Sequence, residues 1–222
     1  MGQTEERIEN RSRERILARI RSALNSPAPA SATGPAPGNI FAPVPDPLDR
    51  FQKECAGNST ECVLTPDMSA SAQAVAGVLA ALPPGEVFVQ DDPKLRRIAT
   101  PWKDARSIRW SSEGGPAEAS QATITLAEAL VAETGSVFVS AACGGRGASI
   151  VAPVHIVVAS LEQLVPDLET AFARVRDGGA TSENSFLCLI TGSSRTGDIE
   201  KIQVLGAHGP RRVVVVLAVH AE

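Results

Sequence analysis

The chain has 222 residues, of which 43% are hydrophobic and 21% charged, so we expect an ordinary folded core from one domain with an appendage. Its formal net charge of −4 argues against a nucleic-acid-binding protein, because phosphate contacts require a basic surface. The first ten residues are polar, and no stretch approaches the about 20 apolar residues that span a bilayer. We therefore expect a cytoplasmic protein that binds neither nucleic acid nor membrane.

Four cysteines are scattered along the chain, at Cys55, Cys62, Cys143 and Cys188. They form no C-x-x-C pair, and no run of Cys and His has the spacing of metal ligands. Iron–sulfur clusters are held by closely spaced thiolates. We expect no disulfide framework, no metal site and no cofactor held by this chain alone.

The N-terminal segment 1–24 is predicted to be an amphipathic helix, because Ile16, Leu17, Ile20 and Leu24 recur at helical spacing. Such a helix docks either on its own domain or on a neighbouring subunit. The second case would make the protein a homo-oligomer. Residues 25–47 are predicted to be a linker, since they carry seven of the sixteen prolines. The folded body is predicted to span 48–222.

The first half of this body alternates helical and apolar extended segments. Helices are predicted over 48–55 and 69–82, the second with Ser69 or Ser71 as its N-cap and the Pro83-Pro84-Gly85 run as its stop. Strands are predicted over 61–65, 87–90 and 107–110.

The second half continues the alternation, with strands predicted over 137–140, 155–159, 186–191 and 213–219. A helix is predicted over 161–176, because one face would carry Leu161, Leu164, Leu168, Phe172 and Val175, and Gly178-Gly179 would end it. Short apolar runs between helices indicate an α/β fold of three layers, with a mostly parallel sheet covered by helices on both faces.

An anion site is predicted where the strand 186–191 ends in Gly192-Ser193-Ser194. A helix beginning there would expose unpaired backbone N–H groups, which attract anions. The hydroxyls of Ser193, Ser194 and Thr196 and the guanidinium of Arg195 would add donors suited to a carboxylate or phosphate. Alternatively, Ser194 or Thr196 only caps the helix and Asp198 favours its first turn.

Two further segments carry candidate catalytic groups. Glu133, beside Thr134 and Gly135, could act as a base, nucleophile or acceptor, or could be a surface turn residue. His208 lies between two glycines before a proline, where it could carry protons or only fix the turn. In the glycine loop 143–147, Arg146 could close over an anion, or the loop could be a plain mobile tip.

Five segments occur in an order that resembles the LUD family, whose name refers to lactate utilisation: 132–136, Arg146, 153–155, 194–200 and 206–210. The resemblance covers about residues 48–219. It implies the fold of the ribose-phosphate isomerase, glucosamine-phosphate deaminase and CoA-transferase group. On the family's motifs we assign Glu133 and His208 as catalytic, and as ligand-binding Thr134, Gly135, Arg146, Gly192, Ser193, Ser194, Arg195, Thr196 and Asp198.

The resemblance also implies a role in an iron–sulfur-dependent system that oxidises L-lactate to pyruvate. In that system the clusters are expected on partner proteins, and this chain binds an anionic small molecule. Two alternatives remain open at this point. One is an independent enzyme acting on a sugar phosphate, acyl-CoA or folate, and the other is a scaffolding or regulatory subunit.

Overall fold

The computed structural model describes residues 2–25, 42–115, 117–178, 186–196, 204–205 and 209–221. The chain divides into two compact units, Met1–Ile40 and Phe41–Glu222. The first unit contains helix α1, Gly2–Leu24. None of the helices in the described ranges has both the length and the apolar character needed to cross a bilayer.

The second unit holds the remaining described helices and strands. Its α-helices are α2 Pro47–Gly57, α3 Met68–Ala80, α4 Pro93–Ile98, α5 Thr100–Ala105 and α6 Leu168–Asp177. Its strands are β1 Thr60–Thr65, β2 Val87–Val89, β3 Ile108–Trp110, β4 Ala122–Leu126, β5 Ala129–Val131, β6 Ser136–Ser140, β7 Val154–Ser160, β8 Leu164–Val165, β9 Leu187–Ile190, β10 Arg195–Thr196, β11 Val204–Leu205 and β12 Arg212–Ala218.

A six-stranded sheet in the order β1-β12-β7-β4-β2-β3 forms the centre of this unit. Every neighbouring pair in it is parallel. Its middle strands are mostly apolar, and the valines of β12 are buried because both faces of the sheet are covered there. The predicted α/β fold with a mostly parallel sheet is confirmed.

The two faces of the parallel sheet are covered by different layers. On one face, Val75 and Leu79 of α3 and Trp102 of α5 pack on Ile124 and Ile156. The other face is covered by α2 and by a second sheet in the order β8-β5-β6-β9, whose far side packs on α6. Strands over 137–140 and 186–191 were predicted, but not β5 and β8, nor that the four strands form a separate sheet.

The predicted continuous helix over 161–176 is wrong in its first half. Residues Leu161–Gln163 form one 3-10 turn, Leu164–Val165 pair with β5 as strand β8, and the helix begins only at Leu168. Pro166 disfavours helical backbone at the residue before it, and Asp167 caps α6 by accepting the Thr170 N–H at 2.8 Å.

The predicted cap of α3 is also wrong. The N-cap is Asp67, whose carboxylate accepts the Ala70 N–H at 2.8 Å, rather than Ser69 or Ser71. The Ser71 hydroxyl instead lies in the core, 2.6 Å from the hydroxyl of Thr65.

Candidate functional site

A polar cluster lies at the amino edge of the parallel sheet, where the turn 132–135 and the segment after β9 meet the end of α2. Asn58, the last residue before the turn into β1, connects them. Its side-chain amide donates to the Thr134 carbonyl at 2.8 Å, and its own carbonyl accepts from the Arg195 guanidinium at 3.1 Å. We call Asn58, Thr134, Ser136, Thr191 and Arg195 the amino-edge cluster.

Three hydroxyls of this cluster form a continuous hydrogen-bonded chain. The hydroxyl oxygens of Thr134 and Ser136 are 2.7 Å apart, and those of Ser136 and Thr191 are also 2.7 Å apart. Ser136 is fully buried, whereas Thr191 reaches the surface. The chain therefore links a buried hydroxyl on β6 to exposed donors and acceptors at the edge.

Two glycines permit the close approach on which the cluster depends. Gly135 has φ +63°, and a Cβ there would lie 2.7 Å from the Cys55 nitrogen. Gly192 has φ +91°, and a Cβ there would lie 2.2 Å from the Asn58 carbonyl oxygen. Both positions require the left-handed backbone and the absent side chain of glycine.

Glu133 lies at the start of the turn between β5 and β6. Its N–H donates to the Pro166 carbonyl at 3.0 Å, and its carbonyl accepts a long hydrogen bond from Arg50 at 3.5 Å. One carboxylate oxygen, Oε2, is buried and has no hydrogen-bond partner among the described residues. A buried carboxylate oxygen without a partner is rare, because desolvation must be offset by a donor.

The segment after β9 also contacts the loop before β12. The Ser194 N–H donates to the Pro210 carbonyl at 2.8 Å, and a Cβ on Gly209 would lie 3.0 Å from the Ser194 Cβ. Ser193 beside it is buried. The structure thus brings the predicted segments 132–136, 191–196 and 209–210 to one edge, whereas the predicted residues His208 and Asp198 lie outside the described ranges.

The helix predicted to begin after Gly192-Ser193-Ser194 does not begin there. Arg195 and Thr196 form strand β10, which pairs antiparallel with β11. Their backbone N–H and C=O groups belong to a strand ladder, so a helix N-terminus is not what presents donors at these two residues. At these two residues the positive charge comes from the exposed side chain of Arg195.

Arg146 is not brought to the amino-edge cluster. It begins a 3-10 helix, Arg146–Ser149, and its guanidinium lies over the Phe186 ring at 5.8 Å from the centroid. Phe186 directly precedes β9. It therefore lies at the end of the β6–β9 pair where Ser140 pairs with Leu187, whereas Ser136 of the amino-edge cluster lies at the other end.

A second polar site, absent from the sequence analysis, is a cavity of about 530 Å³ at the carboxyl edge of the parallel sheet. Its lining includes Gln90 after β2, Glu128 after β4, Ser160 at the end of β7, and Arg97 of α4. The signal in the sequence was a polar residue at the end of each strand, Gln90 directly after β2 and Glu128 two residues after β4, since ligands of parallel α/β sheets bind outside the carboxyl ends of strands.

A buried histidine lies at the second residue of β7, near the amino edge of the sheet. The His155 ring is 0% exposed, its Nε2 lies 2.9 Å from the Thr125 hydroxyl, and its Nδ1 has no partner in the described part of the chain. Burial lowers the pKa of His155 to about 4, because the charged form is the more strongly desolvated. His155 is therefore a neutral core residue at pH 7.

The cysteines are free thiols. Cys55 and Cys62 share a hydrogen bond that raises the pKa of Cys55 and lowers the pKa of Cys62. Burial raises the pKa of Cys143 to about 12. Among the described residues, no group of three or more His, Cys, Asp or Glu is placed to hold a metal ion.

Residues 116–218 match the family model described as the LUD domain, so the resemblance found in the sequence is confirmed. The chain is 28% identical over 151 residues to Lactate utilization protein C of Bacillus subtilis, covering 60% of this chain and 62% of that protein. It is 25% identical over 186 residues to the protein of the same name from a Geobacillus species, covering 77% of each.

A crystal structure of a DUF162 family protein from Deinococcus radiodurans is similar in fold. It is 18% identical, has a TM-score of 0.61, and is matched over 78% of this chain and 96% of that one. The match to the Bacillus subtilis relative spans about three fifths of that protein's length.

Proposed function

Since residues 116–218 match the LUD domain model, we propose that the protein takes part in lactate utilisation, the role for which its Bacillus subtilis and Geobacillus relatives are named. In this proposal it is a subunit of an iron–sulfur-dependent system that oxidises L-lactate to pyruvate. It binds an anionic small molecule, and partner proteins hold the clusters.

The chemistry of the reaction motivates the division of labour. Oxidation of lactate to pyruvate removes two electrons and two protons, and the electrons need an acceptor. The cysteines of this chain lack the spacing of cluster ligands. Cluster-bearing partners would accept the electrons, and this chain would contribute recognition of the anion and a site for the protons.

The amino-edge cluster is the observation that supports anion recognition. A 2-hydroxy acid carries a carboxylate and a hydroxyl. The exposed guanidinium of Arg195 suits the carboxylate, because charged hydrogen bonds to guanidinium are strong and directional. Glu133, which is half-buried in the turn beside Thr134, is the proposed acceptor of the hydroxyl proton, and His208 is the proposed second proton carrier.

Binding of L-lactate and pyruvate to purified protein tests the site. We expect Arg195→Ala to weaken binding by about 1.5–3 kcal/mol, the range for a hydrogen bond to a charged group. Arg176→Ala is the matched control, because Arg176 is exposed on α6 and, among the described residues, pairs with its neighbour Asp177 alone. Equal affinity of Arg195→Ala and the control protein would refute the site.

Growth tests the role. A strain that lacks the protein is expected to lose growth on L-lactate and to regain it with the wild-type gene, whereas Glu133→Gln folds but restores growth poorly. Full growth of the deletion strain would refute the proposed role. Full growth with Glu133→Gln would refute only the chemical role of that carboxylate.

A further inference from the structure

The cavity at the carboxyl edge lies where the crossovers of the parallel sheet diverge. After β2 the chain crosses to β3 on one side, whereas after β4, which is adjacent to β2, it continues through β5 and β6 to β7 on the other side. Loops that leave adjacent strands in opposite directions open a crevice, and ligands of open α/β sheets bind there. A volume of about 530 Å³ is also within the range of small-molecule sites.

A buried amide presents an unused donor to this cavity. Gln90 is 8% exposed, and its Oε1 accepts the Leu126 N–H at 2.8 Å, which fixes the orientation of the amide. Its Nε2 makes no hydrogen bond within the described part of the chain, and Gln90 lines the cavity. Because Nε2 is not itself buried, its N–H groups face the solvent of the cavity, where an acceptor on a ligand can take the place of water.

Three cations from two helices surround the same space. Lys94 and Arg97 are one turn apart on α4, both are exposed, and neither side chain has a partner among the described residues. Arg174 of α6 uses one donor on the Glu162 carbonyl at 2.8 Å, which leaves further donors free. Converging cations from separate elements suit a ligand with more than one negative charge.

The carboxylates of the lining select for hydroxyl groups on that ligand. One oxygen of Glu128 accepts the Ser140 hydroxyl at 2.5 Å, and its other oxygen has no partner in the ranges described. Asp92 is occupied as the cap of α4 through the Lys94 N–H at 2.7 Å, and Glu162 is exposed. A ligand hydroxyl would donate to Glu128 and accept from Gln90.

We propose that this cavity binds a hydroxylated organic polyanion, with its charged groups at Lys94, Arg97 and Arg174 and a hydroxyl between Gln90 and Glu128. Phosphate esters and polycarboxylates share this chemistry. The site lies at the sheet edge opposite the amino-edge cluster, and it does not depend on the function proposed above.

Two matched pairs of probes test the ligand class by calorimetry and thermal shift on the full chain. Citrate is compared with tricarballylate, which lacks only the hydroxyl, and glycerol 3-phosphate with propyl phosphate. We expect at least one hydroxylated probe to bind, and to bind several-fold more tightly than its counterpart. A preference for citrate would identify polycarboxylates, and a preference for glycerol 3-phosphate would identify phosphate esters.

Substitutions test the place of binding. Arg97→Gln is expected to weaken the bound probe about tenfold or more, as for loss of a charged hydrogen bond. Lys103→Gln removes the same charge from an exposed residue of α5 outside the cavity and should change affinity less than about twofold. Gln90→Glu keeps the acceptor for Leu126 but replaces the free donor with a negative charge, so it should abolish binding.

Three outcomes would overturn the proposal. The first is that neither hydroxylated probe binds up to about 10 mM, a concentration at which a specific ligand should measurably stabilise the fold. The second is equal affinity for the hydroxylated and unhydroxylated probes, and the third is an equal loss of affinity in Arg97→Gln and Lys103→Gln. Because Arg195→Ala and L-lactate report on the other edge, failure here and failure of the proposed function are separate results.

Discussion

Gly192 shows how one residue without a side chain fixes the geometry of the amino-edge cluster. Its backbone passes so close to Asn58 that a Cβ would overlap the carbonyl oxygen that accepts from Arg195. We expect Gly192→Ala to destabilise the protein by about 2 kcal/mol, since left-handed backbone and overpacking both oppose the methyl group. Urea denaturation measures the effect.

Gly77 provides the matched control for that substitution. It lies inside α3, and a Cβ there would meet nothing within 4 Å. Gly77→Ala should therefore stabilise the protein by about 0.5–1 kcal/mol, through higher helix propensity. Stabilisation by Gly192→Ala as well would show that residue 192 tolerates a side chain and that the described contact with Asn58 is wrong.

His155 makes stability depend on pH in a defined window. Its pKa is lowered to about 4 in the fold, against about 6.5 in the unfolded chain. Between these values the unfolded state binds more protons than the folded state. The contribution of His155 to the free energy of unfolding is therefore fully present above pH 6.5 and falls as the pH drops towards 4. The loss attributable to His155 is about 3 kcal/mol.

His155→Gln removes this titration, and the glutamine amide can replace the imidazole as the hydrogen-bond partner of Thr125. Urea midpoints at pH 7, 6, 5 and 4 should fall less steeply for the variant than for the wild type. If stability falls with pH equally steeply in the two proteins, the folded protein protonates His155 as readily as the unfolded chain does. Burial would then not lower the pKa of His155.

At the level of residues, the sequence predicted the segments of the amino-edge cluster but not what joins them. Glu133 to Gly135 and Gly192 to Arg195 could be recognised because small residues and charges follow apolar runs. Asn58 could not be recognised in this way, because an asparagine after a helical segment only indicates the end of the helix. Gln90 was likewise unremarkable, because its free donor is defined only by the bond that its oxygen makes to Leu126.

At the level of elements, the start of α3 depends on Asp67. Its carboxylate accepts the Ala70 N–H, so Asp67→Ala should cost about 1 kcal/mol of stability, as for other N-caps. Ser69 is the second residue of the same helix and is exposed, so Ser69→Ala should leave stability nearly unchanged. Thermal unfolding of both variants compares them, and a larger effect at Ser69 would restore the serine as the cap.

Most covered strands were predicted from their apolar runs, but the central strand β4, Ala122–Leu126, was missed, because threonines interrupt its apolar residues. The region 161–167 was predicted wrongly, since its leucines fit a helical face although Leu164 and Val165 pair with β5. The strands β5 and β8 have three and two residues, too few for a period to be visible. Their existence follows from tertiary pairing, which overrides local pattern.

At the level of the whole molecule, the two candidate sites lie at opposite edges of one sheet. Strand β7 has seven residues, and at about 3.3 Å per residue it separates the edges by about 20 Å, beyond the screening length of about 8 Å. Arg195→Ala should therefore leave citrate or glycerol 3-phosphate affinity unchanged, and Arg97→Gln should leave L-lactate affinity unchanged. Calorimetry of both variants with both ligands checks this.

Coupling between the edges would contradict that expectation. A change of more than about threefold in lactate affinity on Arg97→Gln would require a rearrangement of the sheet that transmits the substitution. The double variant then distinguishes the cases, because independent sites give additive losses.

The pairing of β1 with β12 joins the first strand of the sheet to the last. Arg212 donates to Glu61 at 2.6 Å across 151 residues of chain. During synthesis on the ribosome, β1 therefore emerges long before the strand that separates it from β7, and it stays without its neighbour until the 151 residues from Glu61 to Arg212 have been added. Folding that must wait for such distant pairing is slow, and the nascent chain exposes an apolar strand meanwhile. Stalled or C-terminally truncated products that lack β12 should accordingly be substrates for chaperones and proteases.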